Sequence, residues 1–319
     1  MKKKKALWGI IYGCILTCFT VYVLLDTFVI PREYVVIEND NSENEISENH
    51  DSKNDGSDTN NGWGSLDNTD IFTDEVVITE NSYSDSNISI TITEYREYDT
   101  NIYVAEVIIS SPEYLQTAFA KNAYGRNVTQ KTSEMAENNN AIFAVNGDYY
   151  GARETGLVVR DGVIYRDSTS RDRENLVIYE DGSLDVITER GADPEELIAN
   201  GALHILSFGP GLVVDGEIAV SKNEEVGQAM ASNPRTAIGI IDDLHYVFVV
   251  SDGRTDESEG LSLYELATFM DGLGVQVAYN LDGGGSSTMW FNGEIINVPM
   301  SSKGINKERS VSDIVYIGY

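Results

Sequence analysis

Three apolar runs in this sequence each end on an aspartate beside glycine. The run Ala141–Val145 leads into Asn146-Gly147-Asp148-Tyr149-Tyr150, and Tyr246–Val250 leads into Ser251-Asp252-Gly253-Arg254. Val275–Leu281 leads into Asp282-Gly283-Gly284-Gly285-Ser286-Ser287. An aspartate beside glycine is ordinary turn chemistry when it stands alone. A plain turn does not need three glycines followed by hydroxyl residues, so the Asp282 loop is the strongest site candidate. Small residues there let backbone N–H groups form a concavity for an anion, with Ser286 and Ser287 as added donors. Arginines stand at comparable places: Arg235 heads an apolar strand, Arg254 follows Asp252, and Arg309 precedes the last strand. Arginine keeps its charge and grips phosphate with two parallel hydrogen bonds, so these three are candidate phosphate ligands.

Other chemistries lack their residues. The only histidines are His50, His204 and His245, and no Gly-x-Ser-x-Gly, phosphate-loop, His-Glu-x-x-His or dinucleotide fingerprint occurs. Carboxylates, guanidiniums, amides and hydroxyls remain to do the work. Those carboxylates could take a divalent cation, but no ligand spacing demands one, and no metal ligand or certain cofactor is assigned.

The elements that must position these groups are mostly strands. Residues 88–95 alternate polar and apolar, and 102–109 are apolar enough for a central strand. Asp161-Gly162, Asp181-Gly182, Asp215-Gly216 and Asn292-Gly293 each separate two strand-like runs, as hairpin turns do. Helices are few. One is expected over residues 129–138, and a second begins at Asp193-Pro194. The third follows Ser262, where Glu265 completes a capping box and Leu263, Leu266, Ala267, Met270 and Leu273 form one apolar stripe. The expected class is α+β: a mixed, strand-rich single domain with a few helices.

The 319-residue chain has a net charge of −30. From residue 86 onward there are 16 Lys and Arg against 36 Asp and Glu, leaving −20 on the folded part. Such a field repels nucleic acid and anionic surfaces, so an anionic substrate needs a local cluster of arginines. Lys2–Lys5 precede an uncharged run from Ala6 to Leu25, long enough to cross a bilayer with the lysines on the cytoplasmic side. An uncleaved anchor is favoured over a cleaved signal peptide, because no small-residue cleavage site follows Leu25; lipidation of Cys18 is the remaining alternative. Both cysteines, Cys14 and Cys18, lie in this run, so the exported part has no disulfide. Residues from Glu38 to about Asp70 are Asn, Asp, Ser and Glu with almost nothing apolar, and read as a solvated tether. The expected division is a basic start at 1–5, a transmembrane anchor at 6–25, a juxtamembrane segment and disordered tether at 26–80, and the functional domain at 81–319. The first 37 residues are expected to stand outside the fold, and the domain to face the extracellular side of a single-pass membrane protein.

Six segments occur in a recognisable order: residues 143–150, 207–218, 233–240, 249–254, 260–290 and 308–318. In that order they resemble the phosphodiester glycosidase family, over roughly residues 85–319. The segment ending in Asn280-Leu281-Asp282-Gly283-Gly284-Gly285-Ser286-Ser287-Thr288-Met289-Trp290 is the most specific. Where the family more often has a second glycine after Asn-Gly, this chain has Asp148. The resemblance implies hydrolysis of a glycosyl-1-phosphodiester, such as that of N-acetylglucosamine, to free sugar and a phosphomonoester. It puts Asp282, Asp252 or Asp148 in the role of catalytic carboxylate. Arg235, Arg254 and Arg309 would hold phosphate; Asn146, Gly147, the three glycines, Ser286 and Ser287 would line the substrate. Envelope or exopolysaccharide material is the expected source of substrate. A non-catalytic anchored module binding phosphorylated glycans is the alternative, and a structural surface domain the third reading.

Overall fold

Period-two alternation along the strands decides the architecture, because it gives each of the two main sheets two apolar faces. The computed structural model describes residues 2–37, 71–170, 172–223, 232–300 and 305–319. A nine-stranded sheet runs in the order Glu217–Ile218, Gly211–Val214, Val277–Asn280, Arg235–Asp242, His245–Ser251, Thr100–Ile109, Ile88–Glu97, Ser82–Ser84, Val77–Ile78. A five-stranded sheet runs Glu294–Ile295, Met289–Phe291, Ala141–Asn146, Asp313–Gly318, Leu115–Phe119. Along the Thr100–Ile109 strand, Tyr103, Ala105, Val107 and Ile109 enter one core with Phe143, Val145 and Val315 of the second sheet. Ile102 and Val104 point the opposite way, into a core shared with a helix. The two sheets therefore pack face to face, each with a helix on its far side.

The helix on the large sheet is α4, Leu263–Gly272; the one on the smaller sheet is α2, Thr132–Asn138, packed through Met135 and Ala136. The capping box forms as expected: Glu265 N–H donates to Ser262 Oγ at 3.2 Å, and Ser262 N–H donates to Glu265 Oε2 at 2.8 Å. α2 begins at Thr132, three residues later than expected, because residues 130–131 pair with Ser310–Val311. α3, Pro194–Ala199, starts where Asp193 accepts the Glu195 amide, and it backs a third sheet. That sheet orders Val163–Arg166, Val158–Arg160, Ala202–Leu206, Glu174–Tyr179, Leu184–Thr188. All recorded strand pairs are antiparallel.

The turns follow the sequence with one variation. Asp161-Gly162, Asp215-Gly216 and Asn292-Gly293 have positive φ at both residues, the geometry of a two-residue hairpin loop. At Asp181-Gly182 only Gly182 is left-handed, and the Asp181 carboxylate accepts the Ser183 amide at 2.9 Å.

Two expectations about the N-terminal part need correction. The apolar helix α1, Lys2–Phe28, is longer than the uncharged run, and its Ile11–Phe28 stretch is long and apolar enough to cross a membrane. Residues after it do join the fold: Arg32–Val36 pairs antiparallel with Ala123–Arg126, and Ile37 packs beside Tyr124 and Tyr150. Five residues were too few for alternation to announce a strand. Ordered contacts resume before residue 81, with Ser84 Oγ donating to the Ile71 carbonyl and Val77–Ile78 completing the large sheet. Most of the acidic tether, residues 38–70, lies outside the described residues.

Loss of the cap and loss of packing are separable for α4. Ser262→Ala should lower the unfolding free energy by about 1 kcal/mol, and Leu266→Ala, fully buried, by about 2–5 kcal/mol. Urea denaturation of each variant measures both; a larger effect from the cap would contradict packing as the main source of helix stability.

Candidate active site

Asn146 ends its strand with a fully buried carboxamide that has no spare hydrogen bond. Its Oδ1 accepts from Thr236 Oγ1 at 2.8 Å and from Thr288 N at 3.2 Å; its Nδ2 donates to the Asp282 carbonyl at 2.6 Å. Gly147 continues the joint: its N–H donates to the Asp313 carbonyl and its carbonyl accepts the Asp282 N–H. A Cβ at Gly147 would sit 2.6 Å from the Asp313 carboxyl, so only glycine fits. Both residues are expected from the sequence to line the substrate; in the fold their polar groups tie the Asp282 and Asp313 segments together.

The expected carboxylates separate into three environments. Asp282 lines a cleft of about 150 Å³ with Arg309, Ser286, Tyr149 and Asn127. Burial raises its pKa, opposed by the nearby Ser286 hydroxyl, the Arg309 and Arg153 charges and the Gly283 amide. Ser286 acts there at close range without the geometry of a made hydrogen bond. Asp252 is buried elsewhere: it accepts from Val298 N at 2.8 Å and Tyr103 Oη at 3.3 Å, and burial raises its pKa. It fastens the chain at residues 297–298 to the large sheet. Asp148 accepts the Tyr150 and Ser207 amides at 2.8 and 2.9 Å and pairs with buried Arg160 at 3.4 Å. With its oxygens so occupied, Asp148 is a structural anchor of the loop, outside the cleft lining.

Arg160 also donates to Asp313 at 2.6 Å. Asp313 is completely buried, and desolvation together with the Asp148 charge raises its pKa well above the ordinary range. Asp313 begins a strand, where no strand-end pattern in the sequence marks it as a site residue. In an antiparallel ladder a strand's start lies beside its neighbour's end, and Ile314 pairs with Asn146. Arg153 and Tyr149 were missed too. Arg153 donates to the Ser207 carbonyl and lies over the Phe208 ring at 4.7 Å, and both Arg153 and Arg309 lie within 6 Å of the half-exposed Tyr149 ring.

Most amides of the glycine loop are already taken within the protein. Gly283 N–H is taken by the Asp282 carboxylate, Gly284 N–H by the Pro234 carbonyl, and the Ser286 and Ser287 amides by the loop's own carbonyls. The glycines serve close approach. A Cβ at Gly283 would meet the Pro234 carbonyl at 2.9 Å, one at Gly284 (φ +63°) the Arg254 guanidinium at 2.7 Å, and one at Gly285 Arg309 at 3.4 Å. The loop is thus a floor against which two arginines lie. Burial, then the charges of Arg309 and Arg235, lowers the pKa of Arg254. An anion among these guanidiniums would relieve that repulsion. Arg254 donates to Asn233 Oδ1 at 2.8 Å, and Arg235, more deeply buried, donates to the Leu261 carbonyl. Ser286, Ser287 and Thr288 hydroxyls are buried with no hydrogen-bond partner among the described residues, and of these residues only Ser286 lines the cleft. Among the described residues no three His, Cys, Asp or Glu side chains gather as a metal-holding group.

The model of the phosphodiester glycosidase family matches residues 139–318, more than half of the chain. The chain belongs to the phosphodiester glycosidase family. Among its relatives, the SPbeta prophage-derived uncharacterized protein YomE of Bacillus subtilis is 31% identical over 201 residues, covering 61% of this chain and 31% of that protein. The N-acetylglucosamine-1-phosphodiester alpha-N-acetylglucosaminidase of Mus musculus is 30% identical over 157 residues, 45% of this chain and 30% of that enzyme. The match therefore spans about a third of the length of these curated relatives. Among solved structures, the zebrafish N-acetylglucosamine-1-phosphodiester alpha-N-acetylglucosaminidase catalytic domain, auto-inhibited by its pro-peptide, superimposes with a TM-score of 0.59 at 21% identity. That superposition covers 73% of this chain and 83% of that one, and shows the shared fold.

The buried carboxyls give the stability curve a sign. Folded-state pKa values of Asp252, Asp282 and Asp313 are raised, so the stability they favour is complete below about 3.9, the unfolded value, and is lost as pH rises through the folded values. Asp85 runs the other way: hydrogen bonds from Tyr319, Tyr83 and two amides outweigh its burial and lower its pKa, so its contribution is lost only in stronger acid. Buried His204 pulls the other way: desolvation lowers its pKa to about 3, so it costs stability as pH falls below about 6.5. The carboxyl contribution is therefore read from a variant: thermal unfolding should show the melting temperature of Asp313→Asn rising relative to wild type as pH goes from about 5 to about 7.5.

Proposed function

We propose that the protein is a membrane-anchored hydrolase of glycosyl-1-phosphodiesters, with N-acetylglucosamine as the sugar and the domain outside the cell. The observation that carries this reading is the shared cleft of Asp282 and Arg309, built on the loop most specific to the family. α1 supports the anchor, with Lys2–Lys5 on the cytoplasmic side. The named activity of the mouse relative supports the substrate class.

Water's oxygen forms a bond to the sugar C1 as the bond from C1 to the phosphate oxygen breaks. The phosphate leaves with the bonding electrons, and a proton from water completes the phosphomonoester. Phosphate is a good leaving group, so the main demands are charge stabilisation and positioning. Arg309, with Arg254 behind the glycine loop, meets the charge growing on the phosphate. Asp282, when ionised, opposes the positive charge that develops at C1 in the oxocarbenium-like transition state. Tyr149 offers an aromatic face beside Arg309 for the sugar ring. Envelope phosphopolymers are one source of such esters.

Sugar release from methyl α-N-acetylglucosaminyl phosphate, assayed with the full chain in detergent, tests this. Asp282→Asn should reduce release about 10²–10⁴-fold, while a folded wild type that binds the ester without releasing sugar would identify a binding module instead. The pH dependence carries a second test. Activity should rise with pH through an apparent pKa above that of an ordinary aspartate, because Asp282 is raised and acts ionised. Arg309 favours the ionised form, so Arg309→Gln should move that limb to still higher pH, and Arg309→Lys should largely restore it. An unmoved limb would remove Asp282 from the assignment.

A further inference from the structure

The end of α1 meets the wall of the active-site cleft. Asn127 lines that cleft, and its Nδ2 donates to the Thr27 carbonyl at 3.2 Å and the Ile30 carbonyl at 3.3 Å. Its own N–H donates to the Gly151 carbonyl, and Gly151 lines the same cleft. Two further ties hold the helix end in place. Arg32 pairs with Asp26 across the last turn, and the Arg32–Val36 strand is laddered onto Ala123–Arg126, with Tyr34 against Tyr124 at 5.9 Å between ring centroids. Only three residues separate Phe28 from that strand, so the site stands at a fixed height above the helix.

That height can be placed against a bilayer. The 18 residues of Ile11–Phe28 rise about 27 Å, close to the ~30 Å hydrocarbon core, and the headgroup layer beyond is about 5–7 Å deep. One asparagine side chain past Thr27 and Ile30, the cleft therefore lies at the level of lipid headgroups. Beside it, sharing Gly151, is a second cleft of about 340 Å³ lined by Arg32, Arg126, Arg153, Arg166 and Glu154, in which Arg126 pairs with Glu154 at 2.8 Å and Arg166 donates to backbone carbonyls. Four arginines against one glutamate make this a locally positive face in an acidic chain, beside the strand that follows the helix.

We propose that the substrate is a glycosyl-1-phosphodiester whose aglycone is a membrane lipid. Its phosphate sits with Arg309 at headgroup depth, its sugar lies against Asp282, and its chain runs past the neighbouring Arg153 cleft into the bilayer beside α1. Hydrolysis at C1 takes up one water, frees the sugar into solution and leaves a lipid phosphomonoester in the membrane. This rests on the glycosidase and anchor readings above.

The test uses the full chain in phosphatidylcholine vesicles and two esters of α-N-acetylglucosaminyl phosphate, one of methanol in the buffer and one of a C20 isoprenoid alcohol in the same vesicles. Confinement to the surface should make the lipid ester turn over at least about 10-fold faster at equal total concentration, and added phosphatidylcholine should slow it by dilution. A Gly/Ser insertion of about 12 residues between Ile30 and Pro31, reaching roughly 20 Å, breaks the fixed height; it also loosens the Asn127 carboxamide from the Ile30 carbonyl, so Asn127→Ala in the uninterrupted chain is its control. The insertion should bring the lipid-to-methyl rate ratio down to about one, whereas Asn127→Ala should change both rates alike and keep the ratio. Equal rates for the two esters would overturn the lipid substrate and spare the glycosidase reading. Hydrolysis of neither would overturn both. A rise in both rates with the insertion would mean that the strand covers the cleft, and would overturn the proposal.

Discussion

The buried carboxamide of Asn146 is the joint on which the site depends. It binds a threonine hydroxyl from the large sheet, an amide beyond the glycine loop, and the carbonyl of Asp282 itself. Only a side chain with both donors and acceptors can do this; an aspartate could not donate, and would add a charge where no cation is recorded against it. Strand ends from the two packed sheets are thereby brought into one register. The Asp282 carboxyl inherits its position from a residue that never meets the cleft.

Charge is distributed with the same division of labour. Arg160 is locked between Asp148 and Asp313 with almost no exposure, and its charge is spent on two carboxyls. Such a buried group costs much to desolvate and returns that cost only through its partners, so it fixes geometry rather than binding ligands. Arg309 is exposed, lies against an aromatic ring and a glycine, and among the described residues has no carboxylate in hydrogen-bond range. Arg254 is held by a neutral amide and feels two other guanidiniums. Positive charge that is neutralised inside the protein builds the site. Charge left unneutralised at the cleft is what an anionic substrate can use.

This division also explains what could be read from sequence. Hairpins at Asp-Gly pairs, the Ser262 capping box and the alternating strands are legible because each is decided by residues within a few positions. The meeting of the Asn146 and Asp282 strand ends was legible too, since both runs end on an aspartate beside glycine. Which aspartate faces the cleft was not. Asp148 and Asp252 are engaged by Ser207, Val298 and Tyr103, partners 46–149 positions away, and nothing local announces them. Asp313 and Arg160 were hidden for the same reason, being polar residues inside otherwise apolar strands whose partners are each other. The Arg32–Val36 strand was hidden by shortness and by its place after an apolar helix.

The three glycines after Asp282 look, in sequence, like backbone bared for a phosphate. In the fold most of those amides are already bonded within the protein, and what the missing side chains admit is arginine. The distinction has a chemical consequence. Amide dipoles fixed in a loop bind an anion in one preset geometry, whereas guanidiniums carry full charge and reach a phosphate from the side. A glycine floor lets them do so without a Cβ in the way, and it keeps Asp282 within the range of their field. The position of the loop is conserved by its contacts with Pro234 and Asn146, while its electrostatics come from residues far away in the chain. The Tyr149, Arg153 and Asn127 segment around the loop is held by contacts of its own, so the carboxylate and its floor do not depend on it.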